Sequence, residues 1–310
     1  MTPRQAKEED IPAIVDLLKL SLGESLTPKT ISFWKWKHLE NPFGKSPVLL
    51  LEENGKIVGV RAFLQWRYLI NGENMLAGRA VDTAIHPSYQ GKGLFTKLTK
   101  KLLDQVEQDG FQFIFNSPNN QSLPGYLKMG WERWGKLPLK IQLNPFPKKN
   151  KGLSKPDWRL LDPLIENIEN SQGLESEIQT KLEKGFINWR YEHCPIVDYF
   201  WISDQSTYLM IFRLKKSRVG TEFRIVEFYK TPEFSEFGIE QVNQRLKNKI
   251  TETGANFISF SGLQFPNSHL KLGILPIINQ GPLVTLRNLN SKASPLDLPW
   301  SWSLGDLELF

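Results

Sequence analysis

The sequence predicts an α/β (α+β) protein made of two tandem copies of one fold, each a mixed, mostly antiparallel central sheet flanked by helices. Three observations predict it. Residues 47–86 hold β-rich runs separated by two Asn-Gly turns, the pattern of an antiparallel meander. A glycine loop, Gln90-Gly91-Lys92-Gly93, then runs straight into a helical stretch. Segments of the first half recur in order in the second, which marks a duplicated unit.

Each element follows from local pattern. Over residues 9–22 apolar residues fall at helical spacing, and Asp10 and Pro12 supply a start signal. Val48–Leu51 reads as a strand, Glu53-Asn54-Gly55-Lys56 as a hairpin turn and Ile57–Tyr68 as a longer strand. Asn71-Gly72 is the second turn, and Ala77–Ile85 the third strand. Leu94–Gln108 reads as a helix with Leu94, Leu98, Leu102 and Val106 on its apolar face, closed by Gly110. A short buried strand (Phe111–Phe115), a short helix (Leu123–Met129) and another strand (Leu137–Leu143) follow. Asn144 to Asp157, rich in Pro, Lys and Gly, reads as a linker. The expected division is therefore a first domain over 1–146, a linker over 147–157 and a second domain over 158–310.

The duplication rests on three matches in nearly constant register. Phe33-x-x-Trp36-Lys37-His38-x-x-x-Pro42 returns as Phe186-x-x-Trp189-Arg190-Tyr191-x-x-x-Pro195. Arg79-Ala-Val81-Asp82-x-x-x-x-Pro87 returns as Arg224-Ile-Val226-Glu227-x-x-x-x-Pro232, and Leu127-Lys128-Met129-Gly130 as Leu270-Lys271-Leu272-Gly273. The copies diverge after the proline. The first has Ser-Tyr-Gln-Gly-Lys-Gly; the second keeps one glycine, Gly238, and has Glu236 where the first has Gly91. A carboxylate there would repel a phosphate, so the second copy is expected to be structural.

Composition narrows the function classes. With 310 residues, 40% hydrophobic and 23% charged, the chain has material for two cores. The N-terminus lacks the apolar core of a secretory signal, and no run of 18 apolar residues suggests a membrane span. The single cysteine, Cys194, allows no internal disulfide and fits a reducing cytoplasm. Much of the net charge of +6 is one run, Lys148, Lys149, Lys151 and Lys155, read as a solvated linker. It lacks interleaved aromatics, so neither nucleic acid nor membrane is an expected partner. No His/Cys/Asp cluster has metal-ligand spacing, and no metal is expected. A homo-oligomer is compatible with the sequence, which does not specify one.

The glycine loop carries the chemistry. Between a strand and a helix, its backbone N–H groups point outward at the positive end of the helix dipole, where a phosphate binds. Glycine allows the tight turn and the close approach of a pyrophosphate. Lys92 and Lys97 add positive charge. Ala84-Ile85-His86-Pro87-x-Tyr89-Gln90-Gly91-Lys92-Gly93-Leu94 resembles motif A of the GNAT N-acetyltransferases, Gln/Arg-x-x-Gly-x-Gly/Ala. Phe95 departs from the final small position. Residues 119–131, with Tyr126 four residues before Gly130, resemble the family's motif B. The tandem of one intact and one degenerate copy is similar to the Eis-like acetyltransferases, and also to FemAB-type aminoacyl transferases and N-myristoyltransferases.

The resemblance implies acetyl-CoA as acyl donor and an amine as acceptor, joined by direct attack on the thioester in a ternary complex. It implies a cofactor site built from Thr83, Ala84, Ile85, Gln90, Gly91, Lys92, Gly93, Leu94, Phe95, Asn116 and Asn119. The strand carrying Thr83–Ile85 is expected to splay from Phe113–Asn116 and leave a gap for the thioester. Tyr126 is the candidate general acid, with aromatic packing as its alternative role. An amine with a pKa near 10.4 is neutral in only about one molecule in 2,500 at pH 7, so a base or a desolvating site is needed. Asp82 is the candidate base; a salt bridge to Arg79 or Arg61 is the alternative. His38 lies in a segment that the second copy repeats and is read as structural. A non-catalytic acyl-CoA-binding protein is the competing functional class.

Overall fold

A computed structural model of the protein describes residues 1–310 except 25–26, 145–146, 148–151, 174–175, 266–267 and 308–310, and only the backbone of Glu236. Lys148, Lys149 and Lys151 of the basic run lie outside the described residues. The chain divides into two compact units. Unit 1 holds Met1–Gly135 and Leu283–Leu298; unit 2 holds Lys136–Pro282 and Pro299–Leu309.

Unit 1 opens with β1 (Thr2–Gln5), α1 (Ile11–Leu22) and α2 (Ile31–His38). The meander follows as β2 (Val48–Glu53), β3 (Lys56–Ile70) and β4 (Glu73–Ile85). Asn54 and Asn71 take positive φ at its two turns, as the Asn-Gly pairs demand. Then come α3 (Leu94–Gln108), β5 (Phe113–Asn116), α4 (Leu123–Lys128) and β6 (Glu132–Lys136).

Period-two alternation sends Val48 and Leu50 into one cluster with Ile14, Leu18 and Trp34. Leu49 and Leu51 enter the other, with Leu98, Leu102 and Tyr126. The sheet is thus covered by α1 and α2 on one face and by α3 and α4 on the other. Leu50 and Leu102 are wholly buried; truncating such a leucine to alanine costs about 2–5 kcal/mol.

Unit 2 contains β7 (Leu139–Leu143), α5 (Asp162–Asn170), the two-residue β8 (Gln179–Thr180), β9 (Phe200–Ser203), β10 (Tyr208–Ser217) and β11 (Gly220–Lys230). It continues with α6 (Ile239–Thr253) and β12 (Phe257–Ser261); β13 (Leu283–Asn288) then returns to unit 1, and the short α7 (Leu304–Leu307) closes unit 2. Its sheet runs β7-β12-β11-β10-β9.

The division differs from a cut at 146. In unit 1 the strand order is β1-β2-β3-β4-β5-β13-β6, with Thr285 opposite Asn116. In unit 2, β7 pairs antiparallel with β12, Leu139 opposite Ser261. The strand after β6 therefore completes the second sheet, and the matching strand of the second half completes the first. The two copies exchange their last strands.

Among the described residues no helix is long and apolar enough to cross a membrane.

Candidate active site

The parallel ladder between β4 and β5 pairs Ala77 with Phe113, Gly78 with Ile114 and Arg79 with Phe115, and stops there. Beyond Arg79 the strands part, and a cavity of about 630 Å³ fills the opening. Its walls include Asp82, Thr83, Ala84, Ile85, Gln90, Phe95, Asn116, Asn119 and Tyr126. Nine of the expected site residues thus meet around one space.

Backbone and side-chain bonding fix what each wall residue can offer. His86 N–H bonds the Val58 carbonyl and Ala84 faces Val60, so by strand alternation the polar groups of Ala84 serve the β3 ladder and those of Ile85 face the gap. The Ile85 carbonyl accepts from Gln90 Nε2 at 3.0 Å and from Ser21 Oγ at 3.1 Å. Asn116 is buried and its Oδ1 accepts from Thr285 of the returning strand. Asn119 Oδ1 accepts from the N–H groups of Gln121 and Ser122 at 3.1 and 2.9 Å, capping the approach to α4.

The remaining four residues form the loop at the head of α3. Gly91 and Gly93 have φ of 74° and 72°, the left-handed region that favours glycine. A Cβ on either would meet no atom within 4 Å, so backbone conformation and open approach are the reasons for glycine there. Gly93 caps the helix with no side chain bonded to it, which leaves the first N–H groups free for an anion. Lys92 lies over the Tyr89 ring at 5.1 Å. Leu94 and Phe95 pack against the core behind the loop.

Tyr126 sits on α4, largely buried at 6% exposure. It packs edge-on against Phe95 and Trp131 at 5.8 and 5.1 Å between ring centres. Its hydroxyl oxygen accepts from Arg61 Nη1 at 3.1 Å. Arg61 stands on β3 opposite a bulge at which Asp82 and Thr83 share one partner, and Asp82 takes a φ of 41° there. The bulge re-aims both side chains.

Asp82 does not meet the expectation of a free base. Its carboxylate turns to α2, where Lys37 Nζ forms an ion pair with it and His38 Nε2 lies 2.8 Å away. Burial opposes its charge, but the Lys37 ammonium and the His38 hydrogen bond outweigh that and hold the carboxyl well below the usual carboxylate range. A base of that strength takes up few protons at neutral pH. The salt bridge of the alternative reading is present with different partners: neither Arg79 nor Arg61 but Lys37. Burial pushes the His38 imidazole down, against the pull of Asp82, so the neutral ring donates its Nε2 proton to the carboxylate. The matching positions of unit 2, Arg190, Tyr191 and Glu227, are buried as well, but there the carboxyl accepts from Ser303 Oγ and burial pushes it up rather than down.

The matching gap of unit 2 is filled. The β11–β12 ladder ends at Ile225 and Phe260, and the segment around Trp302–Gly305 occupies the space beyond. Leu263 N–H bonds the Trp302 carbonyl at 2.8 Å, Ser303 donates to Glu227, and Arg190 Nη2 donates to the Gly305 carbonyl at 3.0 Å. A Cβ on Gly305 would lie 2.0 Å from Glu227 Oε1. Gly238 has a φ of −68°, so the outward-turned loop of unit 1 has no counterpart.

Thr285 and Ser21 escaped the sequence reading, which named Arg61 only as a salt-bridge partner of Asp82 and not as a donor to Tyr126. Arg61 had a signal, a lone charge among Val58, Val60, Ala62, Phe63 and Leu64 on a long apolar strand. Thr285 had none, since nothing local places its strand beside β5. Of the aromatic set Trp34, Trp36, Trp66, Tyr68, Trp131 and Trp134, for which the sequence left an acceptor groove and a packed core equally open, all but the half-buried Trp134 are buried.

A splayed pair of parallel strands, with a glycine loop heading the helix between them, is the architecture of an acyl-CoA-dependent transferase. Residues 2–134 match the family model of an acetyltransferase (GNAT) domain. The L-methionine sulfoximine/L-methionine sulfone acetyltransferase of Salmonella typhimurium is 28% identical over 147 residues, 44% of this chain and 84% of that protein. Among solved structures, a GCN5-related N-acetyltransferase from Anabaena variabilis aligns with a TM-score of 0.66 at 17% identity, covering 93% of this chain and 73% of that one. Eis1 from Mycobacterium abscessus aligns at 0.58 and 11%, covering 94% and 74%; both share the fold. Residues 2–134 are thus an acetyltransferase (GNAT) domain, and the chain as a whole shares the fold of those solved structures.

Proposed function

We propose that the protein transfers an acetyl group from acetyl-CoA to the primary amine of a small acceptor of the amino-acid type, by direct attack in a ternary complex in the cytoplasm. The cavity between β4 and β5 carries this reading: the glycine loop stands at its edge and Tyr126 in its wall. The loop N–H groups hold the pyrophosphate. Backbone groups on the open edge of β4, at Ile85 and near the bulge at Thr83, bind the pantetheine arm and the developing oxyanion. Tyr126 protonates the departing sulfur. With Asp82 held as an ion, the amine enters neutral or loses its proton to water in a site that disfavours its charge. The relative from Salmonella typhimurium, an acetyltransferase of methionine derivatives, supports the acceptor class.

A panel of amino acids and small amines, headed by L-methionine sulfone, tests the reading with acetyl-CoA as donor and a thiol reagent to detect free CoA. Acceptor-dependent CoA release is expected. A protein that binds acetyl-CoA yet releases no CoA above hydrolysis with any amine is an acyl-CoA-binding protein instead.

A further inference from the structure

We propose that Arg61 is a positioning residue for the transfer step: it aims the Tyr126 hydroxyl proton into the cavity and balances the charge left on the phenol oxygen. The inference rests on Tyr126 as the acid.

Arg61 is wholly buried. Its guanidinium stands 4.7 Å from the Phe63 ring centre, 5.4 Å from Tyr126 and 5.7 Å from Phe95. Nη1 donates to Tyr126 Oη and to Thr83 Oγ1, while Nε and Nη2 have no hydrogen-bond partner. Among the described residues no carboxylate pairs with it. Arg4 shows the ordinary arrangement, with Asp10 and Glu52 both at 2.7 Å. A buried guanidinium without a counter-charge is costly, and the site it touches is the one that develops negative charge.

The direction of the hydrogen bond matters. A guanidinium has donors only, so Tyr126 accepts from Arg61 and its own proton must point elsewhere. Among the described residues no protein acceptor takes that proton, and the tyrosine lines the cavity. In the transfer, the amine nitrogen bonds the acyl carbon, the C–S bond breaks, and the sulfur takes the Tyr126 proton. The phenolate then stands beside Arg61 until it regains a proton, balancing the one the amine has lost.

The second copy supplies a comparison within the same chain. Phe63 faces Ala80 and Phe212 faces Ile225; counting back two residues from each, Arg61 corresponds to Met210. Tyr126 corresponds to His269. The arginine and the tyrosine are thus absent together from the copy whose gap is filled, whereas Lys37, His38 and Asp82 keep buried polar counterparts in Arg190, Tyr191 and Glu227.

A double-mutant cycle on the full chain tests this, with acetyl-CoA and the fastest amine of the panel. Tyr126→Phe and Arg61→Met should each lower kcat by about tenfold or more, with the KM for acetyl-CoA within about threefold. The double variant should fall no more than about threefold below the worse single one, because both changes remove the same function. Arg61→Lys keeps a cation but moves the donor; its loss should be smaller and should vanish in the Tyr126→Phe background, which carries the test if Arg61→Met fails to show a thermal transition. Losses that multiply, or an unchanged kcat in both Arg61 variants, overturn the inference while leaving Tyr126 as the acid. An unchanged kcat in Tyr126→Phe overturns both.

Discussion

His38 Nε2 lies 2.8 Å from Asp82 Oδ2, and the same oxygen takes the ion pair from Lys37. A helix and a strand more than forty residues apart are thereby joined through one buried carboxylate. The side chains of Lys37 and His38 are 5% and 1% exposed, so the cluster holds α2 against the sheet directly behind the cavity. The matching residues Arg190, Tyr191 and Glu227 are buried too, but Glu227 bonds Ser303 there and is pushed toward its neutral form.

Replacing Asp82 with Asn should therefore read out as lost stability. Removing one partner of a buried pair leaves the other charge uncompensated and costs about 3–5 kcal/mol. Thermal unfolding of Asp82→Asn should show that loss, and Lys37→Met in the same chain should restore part of it. A folded Asp82→Asn protein with an unchanged Tm and a kcat down by 10² or more would return Asp82 to the role of base.

The loop prediction concerns cofactor binding. Acetyl-CoA at 100 times its dissociation constant should stabilise the protein by about 2.7 kcal/mol. Gly91→Glu puts a carboxylate at the head of α3 and should abolish that shift. Gly91→Ala, whose Cβ meets no neighbour, should lose less, through the φ of 74° alone. A full shift in the Glu variant would move the pyrophosphate elsewhere.

Each chain should bind one CoA. Unit 1 has an open gap between β4 and β5, whereas in unit 2 the Trp302–Gly305 segment occupies the gap and the outward-turned glycine loop is missing. Titration calorimetry with acetyl-CoA gives the number directly. A stoichiometry near two would mean that the filled gap opens to ligand.

The buried acids of unit 2 give a pH dependence. Burial pushes Glu227 up, and the charge of Asp306 pushes the same way, to about 8; Ser303, Arg190 and Tyr191 pull against them. Tyr229 packs against it as well. The folded value lies above the ordinary glutamate value, so the folded protein keeps a proton that the unfolded chain has lost. Stability should fall as pH rises from about 4.5 to 8, by up to about 1.4 kcal/mol per pH unit for that proton. His38, pushed down by burial, acts in the opposite sense below about 6.5, so the comparison must be with Glu227→Gln. Urea unfolding at pH 5 and pH 8 should show a larger loss in the wild type than in that variant. Equal losses would exclude Glu227 as the titrating group.

Much of this was legible in the chain itself. Asn-Gly turns, the glycine loop and the repeated Trp-Lys-His and Trp-Arg-Tyr segments are local signals, and they located the meander, the head of α3 and the duplication. The repetition also marked His38 as structural, which its bond to Asp82 explains. Two things were not legible. The partner of Asp82 is set at the bulge opposite Arg61, where the carboxylate meets Lys37 and His38 of α2, and no spacing rule reveals a bulge. The placement of β7 and β13 was hidden because the pattern along a strand does not say which sheet edge it joins.

The exchanged strands bear on how the protein is made. Thr285 bonds Asn116 in the cavity wall, so the site is incomplete until the ribosome has passed residue 288, about 150 residues after the end of β6, or roughly ten to thirty seconds later at ordinary elongation rates. Until then the edge of β5 is unpaired and open to strangers. The first half of the gene thus encodes every residue named in the cavity wall, yet cut out and expressed alone it would yield a sheet with a missing rib. The duplication has become a mutual dependence, in which the half whose own gap is filled finishes the cavity wall of the other.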